Sequence, residues 1–192
     1  SRDVQMLLED LNVPIAQISP RDLNPNFIQV FADDEAASHS ITSLVLEQGH
    51  TRVGFIKGID SHGATGLRLA GFERACREHG ITIDGELIVS GHFDFESGRL
   101  AARHLFDQAE PPSAIIASND DMAAGVLFEA RERNISVPED VSVVGFDDTP
   151  LAQRIWPPLT TVRQPIHQMV RSAVDRLIKT VGGVSVDDGP TR

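Results

Sequence analysis

Continuously apolar runs that alternate with stretches of helical spacing constrain this chain more than any other feature. RVGFIKG (52–58), LIVS (87–90), AIIAS (114–118) and VSVVGF (141–146) each read as a short strand. Between them the spacing predicts helices over 35–48, 65–79, 96–108 and 120–133. The first puts Ala37, Ile41, Leu44 and Val45 on one face, with Asp34 as N-cap and Gly49 as stop. The second gathers Leu69, Phe72, Cys76 and His79 and stops at Gly80. A strand that is apolar throughout, rather than at every second residue, is one covered on both faces. Strands of that kind alternating with helices predict an α/β fold built on a doubly wound parallel sheet.

The flanks read differently. A helical piece is expected over 4–11 and a buried strand over VPIAQI (13–18). LTTV (159–162) reads as another strand. Pro165 then sets the entry to a helix whose face carries Ile166, Met169, Val170, Ala173, Val174, Leu177, Ile178 and Val181, closed by Gly182-Gly183. The span 34–162 is therefore a complete lobe, and the flanks hold too few elements for a second.

Charge narrows the function. With 17 Lys and Arg against 28 Asp and Glu, the net charge of −11 argues against phosphate backbones as a direct partner. No run approaches the length of a membrane span. Cys76, the one cysteine, excludes an internal disulfide, which fits a reducing compartment.

In an open α/β sheet, ligands collect beyond the carboxyl ends of the strands. Those positions hold GIDSHGATG followed by Arg68, then Phe93, then Asn119-Asp120-Asp121, then Asp147-Asp148, with Asp33-Asp34 just before the first helix. A guanidinium, an amide, carboxylates and an aromatic ring on one rim suit a small polyhydroxylated ligand. Each also has a plainer reading. Asp120 or Asp121 suits a helix N-cap, Asp148 an Asx-turn, Phe93 the core, Arg68 a solvated helix face, His50 a loop and Cys76 the core. Only Asp147 and Asn119 favour the ligand reading taken singly; their joint placement favours it for the set.

Catalysis is not expected. No phosphate-binding glycine loop, nucleophile elbow or zinc motif is present. The acidic pairs could hold Mg²⁺, but no nucleophile or general base stands beside them. Neither a metal nor a cofactor is expected.

LEQGHTRVGFIKG, RLAGFERA, SNDDMAAGVLFEA, VPEDVSVVGFDDTPLA and PPLTTVRQP resemble, in order and spacing, the effector-binding domain of the lac/gal repressor family. The resemblance covers 13–181. It implies a periplasmic-binding-protein-like domain of two lobes that binds a small effector, a sugar or a nucleoside-like molecule, in a cytoplasmic bacterial transcription regulator. On that reading 1–33 is the remnant of the N-terminal lobe, 34–162 the complete C-terminal lobe, 163–183 the return to the first lobe and 184–192 the start of a last crossover. The family's effector contacts fall on Arg68, Asn119 and Asp147, its aromatic on Phe93 and its crossover Asp on Asp33. Alanine at Arg68 or Asp147 is expected to weaken effector binding with little effect on stability.

The sequence also departs from the family. Asp34 stands where the family has Asn, Ser19 where it has Asp, and Val170 where it has Gly. Operator DNA is expected to be bound only through a headpiece that this chain does not contain. Much of what 13–18 and 166–181 should pack on is likewise absent from it. The resemblance further implies a homodimer whose interface holds Ile155, Trp156, Met122 and Val126. The other reading is a periplasmic solute-binding protein of a sugar transporter, which shares the fold.

Overall fold

The computed structural model describes residue 8, residues 13–20 and residues 24–182. Most of the helix expected over 4–11, and the tail over 184–192, lie outside them. The chain divides into two compact units, a larger one of 34–60 and 64–164 and a smaller one that takes the chain before 34, residues 61–63 and the chain from 165.

In the smaller unit β1 (Ala16–Ile18) pairs in parallel with β2 (Ile28–Val30). The larger unit then runs α1 (Asp34–Glu47), β3 (Val53–Lys57), α2 (Gly63–Glu78), β4 (Ile88–Ser90), α3 (Phe95–Phe106), β5 (Ala114–Ala117), α4 (Asp120–Glu132), β6 (Ser142–Asp147) and β7 (Thr160–Arg163). Its sheet is parallel throughout, in the order β4-β3-β5-β6-β7. The order reverses between β3 and β5, which makes the gap above those two strands the switch point of the sheet.

The unbroken apolar character of the strands has a direct cause. Phe55, Ile116 and Val144 point into a core with Ile41 and Val45 of α1 and Phe72 and Cys76 of α2. Their neighbours Ile56, Ile115 and Val143 point the other way, against Ala101 and Leu105 of α3 and Met122 and Val126 of α4. Adjacent residues feed opposite cores, so no position is left for a polar side chain.

Several boundaries moved by one to three residues. Leu87 sits in a short 3-10 turn whose N-cap Asp84 accepts from the Glu86 amide, which shortens the strand expected over 87–90. Asp94 caps α3 by accepting from the Ser97 amide at 2.8 Å. The strand expected over 13–18 is only three residues long, and β2 was not anticipated.

In the smaller unit, α5 (Ile166–Val181) packs Met169 and Ala173 against Val30 and Ala32, with Ala16 alongside. Arg176 Nη1 donates to the Gln29 carbonyl at 2.9 Å. The expected eight-residue face does not bury as one. Ile166, Val170, Val174, Ile178 and Val181 are exposed, and among the described residues the sheet of this unit has two strands.

A close backbone contact in the larger unit joins α3 to α4. A Cβ added at Gly98 would meet the Met122 backbone, and one at Gly125 would meet the Phe95 carbonyl. Gly98→Ala or Gly125→Ala must therefore push the helices apart and should cost about 1–3 kcal/mol. Urea unfolding followed by far-ultraviolet circular dichroism measures this, and wild-type stability in both variants would refute the contact.

Candidate functional site

The site is built on Arg68, in the second turn of α2. Its guanidinium lies 3.7 Å from the centroid of the Phe146 ring, stacked on the end of β6. Nε donates to Asp34 Oδ1 at 2.7 Å, Nη1 donates to the Ser118 carbonyl, and Nη2 stands 3.8 Å from Asp147 Oδ1. Arg68 is 5% exposed, so the solvated-helix reading is wrong for it. Asp34 is not a free N-cap; its carboxylate is buried and committed to Arg68. A charge this deep is tolerated because its partners were fixed by folding rather than recruited from water.

Asp147 ends β6 with its side chain 27% exposed. Its backbone is at φ 120° and that of Asp148 at φ 55°, both in the region that L residues avoid. The turn is held from below by Asp120, which is fully buried. Asp120 Oδ2 accepts from the Thr149 amide at 2.7 Å and from its hydroxyl at 3.0 Å, while Oδ1 accepts from the Thr161 hydroxyl at 2.6 Å. Gly145 makes room for it, since a Cβ there would lie 2.6 Å from Asp120 Oδ1. Gln164 Nε2 donates to Asp147 Oδ1 at 2.6 Å. Burial pushes the Asp147 carboxyl above the usual range, against the pull of Gln164 and Arg68, with Asp120 and Asp34 adding to the rise.

Asn119 is the N-cap of α4: Oδ1 accepts from the Met122 amide and Nδ2 donates to the Phe93 carbonyl, both at 2.9 Å. The cap is thus Asn119, neither Asp120 nor Asp121. Phe93 is half-buried at φ 64°, its ring on Gly58, where any Cβ would collide with it. Asp33 is exposed and falls in the smaller unit; the carboxylate beside Arg68 belongs to Asp34, which the doublet in the sequence left unresolved. Sequence reasoning missed Gln164, Phe146 and Ser118, the last because it acts through its carbonyl.

The expected interface needs correction. Met122 and Val126 are both 0% exposed in the core between α3, α4 and the sheet, so neither can meet a second copy. The outward side of α4 carries Phe128, which meets Phe95 edge-on at 5.6 Å. Trp156 is 88% exposed and Ile155 half-buried. His50 bridges the Ser113 and Ser142 hydroxyls at 2.9 and 3.0 Å. Cys76 is core, its thiol pushed up to about 11 by burial and by Glu73. Among the described residues no cluster of His, Cys, Asp and Glu suits a metal, and no helix is long and apolar enough to cross a membrane.

Residues 42–191 match the family of periplasmic binding protein-like domains. The chain belongs to that family. It is 38% identical over 160 residues to the transcriptional repressor CytR of Escherichia coli K12, covering 83% of this chain and 47% of the repressor. It thus spans about half the length of the curated relatives it matches. The crystal structure of the E. coli transcriptional repressor ascG superposes with a TM-score of 0.84 at 29% identity, over 99% of this chain and 78% of that one. A complex of the transcriptional regulator CelR with cellobiose superposes at 0.87 and 31% identity, over 98% of this chain and 58% of that one. The domain is of the kind that binds effectors in regulators of the lac/gal family, and these relatives are transcriptional regulators rather than enzymes.

The environment of Asp147 has a consequence for stability. A carboxyl whose folded pKa is raised favours the native state below the unfolded pKa, and that contribution is lost as pH rises through the folded value. Asp147→Asn removes the titration and keeps an acceptor for Gln164. The variant should gain stability relative to wild type as pH rises from 3 to 7, read as the difference in urea midpoints. A difference that does not change with pH would refute the buried carboxylate.

Proposed function

We propose that this chain is the effector-binding part of a cytoplasmic transcriptional regulator, taking a small polyhydroxylated molecule, a sugar or nucleoside, at the rim formed by Arg68, Asn119, Asp147 and Phe93. Operator DNA would be contacted through a headpiece outside this chain. The observation that carries this reading is the Arg68 guanidinium, clamped on Phe146 between Asp34 and Asp147 at the switch point of the sheet. Nη2 and the exposed edge of Asp147 then offer a donor and an acceptor side by side, which suits a pair of adjacent hydroxyls. The repressor and regulator relatives support regulation over solute transport, and the cellobiose bound to CelR supports a sugar. The same relatives, transcriptional regulators, support a binding role over a catalytic one.

A thermal-shift panel of D-glucose, D-ribose, cellobiose and the four ribonucleosides tests the reading, because a ligand at 100 times its Kd stabilises by about 2.7 kcal/mol. Asp147→Ala should then weaken the binding compound by about 2–4 kcal/mol in calorimetry. Unchanged affinity would remove the assignment. Arg68→Ala is the poorer test, contrary to the expectation of little effect on stability: it leaves Asp34 buried and unpaired, which costs about 3–5 kcal/mol of fold stability.

We also infer a homodimer, with exposed Trp156 and the Phe95–Phe128 pair as candidate contacts, since aromatic side chains are enriched at interface centres. Trp156→Ser combined with Phe128→Ser should shift sedimentation at tens of micromolar toward monomer, and an unchanged dimer would exclude both residues.

A further inference from the structure

The larger unit holds a cavity of about 340 Å³ at the amino-terminal ends of β6 and β7, away from the effector rim at the carboxyl ends. That volume lies near the lower end of small-molecule sites, about 300–1,000 Å³, and suits a molecule of one or two rings. Leu44 and Val45 from α1, Val144 from β6, and Pro138, Pro157 and Pro158 give it apolar walls. The three prolines hold their part of the wall at fixed φ, so the cavity is formed before a ligand arrives. Among the described residues no Asp, Glu, Lys or Arg lines it, in a chain that carries 17 Lys and Arg and 28 Asp and Glu. An ionic ligand would lose its hydration there with nothing to replace it. We propose that this cavity is a second ligand site, taking a neutral aromatic molecule with one hydrogen-bond donor, a phenol or an indole. The inference is independent of the effector reading.

The demand for a donor comes from a chain of hydrogen bonds at the polar end of the cavity. His50 Nδ1 lies 2.9 Å from Ser113 Oγ and Nε2 lies 3.0 Å from Ser142 Oγ. A neutral imidazole has one N–H and one bare nitrogen, so one serine accepts and the other donates. Ser113 decides which. Its hydroxyl donates to the Arg52 carbonyl at 3.5 Å, a group that can only accept. Nδ1–H then donates to Ser113, and Nε2 accepts from the Ser142 hydroxyl. Ser142 has spent its one proton and keeps only lone pairs for a ligand.

Ser142 opens β6 and lies on the same face of the sheet as Val144, two residues on, and both line the cavity. The chain of bonds therefore ends in an acceptor set among apolar walls. Gln48 and Thr160, further polar members of the lining, are exposed. A sugar would bring several hydroxyls to such a place and leave most of them unpaired, whereas a phenol or an indole brings one donor on an apolar ring.

Amide and methyl NMR of the full chain at mildly alkaline pH, titrated with phenol and with indole to millimolar concentration, tests the proposal. Resonances of Leu44, Val144 and His50 should move, and those of Phe93 and Asp147 should not. Anisole and N-methylindole keep the rings without the donor and should bind about five-fold more weakly, the worth of one hydrogen bond. Ser142→Ala should erase that difference. Leu44→Arg, at a position 45% exposed, should abolish binding in a folded chain. Equal affinity for phenol and anisole in wild type would overturn the proposal even if Ser142→Ala fails to fold. Stationary Leu44 and Val144 resonances would do the same. So would shifts at those residues that follow protein concentration without any probe, which would give the cavity to a second copy of the chain. Failure of every sugar and nucleoside in the thermal-shift panel would count against the effector reading and leave this result standing.

Discussion

Taking one guanidinium out of water at the end of a parallel sheet dictates much of what surrounds it. Arg68 must have a face to lie on, which Phe146 supplies, and a counter-charge, which Asp34 supplies at 2.7 Å. It must also have acceptors for its remaining protons, and the Ser118 carbonyl at the end of β5 takes one. These groups come from α1, β5 and β6, so the arginine ties the beginnings and ends of distant segments to one point. The Ser38 hydroxyl closes the arrangement by donating to the Arg68 carbonyl at 2.6 Å. The cost of burying the charge is met by bonds that are formed before any ligand arrives, which is what pre-organisation requires.

A second buried charge serves packing alone. Glu129 on α4 is reached by Arg99 and Arg103 from α3 and by Arg133 from its own helix end, at 2.9–3.4 Å. It lies on the same pair of helices that Gly98 and Gly125 bring into backbone contact. The glycines allow the approach and the arginines fix its register. The contrast with Arg68 is instructive: around Glu129 every charge is opposed by a neighbour, whereas Asp147 keeps an exposed edge.

The doubly wound sheet was legible in the sequence because strands that feed two cores must be apolar at every position, and Phe55-Ile56, Ile115-Ile116 and Val143-Val144 record this without ambiguity. The rim was legible for a topological reason: in this fold the ends of strands are where polar residues have work, so Arg68, Asn119 and Asp147 could be picked by position. What each one touches was not legible. Nothing local distinguishes Asp33 from Asp34, and only the tertiary position of Arg68 decides between them. The cap fell to Asn119 rather than Asp120 because Asp120 is drawn under the turn by two threonines 29 and 41 residues away. Helical spacing put Met122 and Val126 on a helix but could not say which face looks outward. β2 was missed because three residues of β character leave almost no periodic signal.

Trp156 stands alone in more than position. With no tyrosine in the chain, this one indole supplies nearly all of the near-ultraviolet absorbance, and it sits in open solvent rather than in the core. Its emission is therefore nearly blind to the packing of the lobe and sensitive to whatever comes to lie against Ile155–Pro157. The fold carries a built-in optical probe aimed outward, reporting on company rather than on integrity.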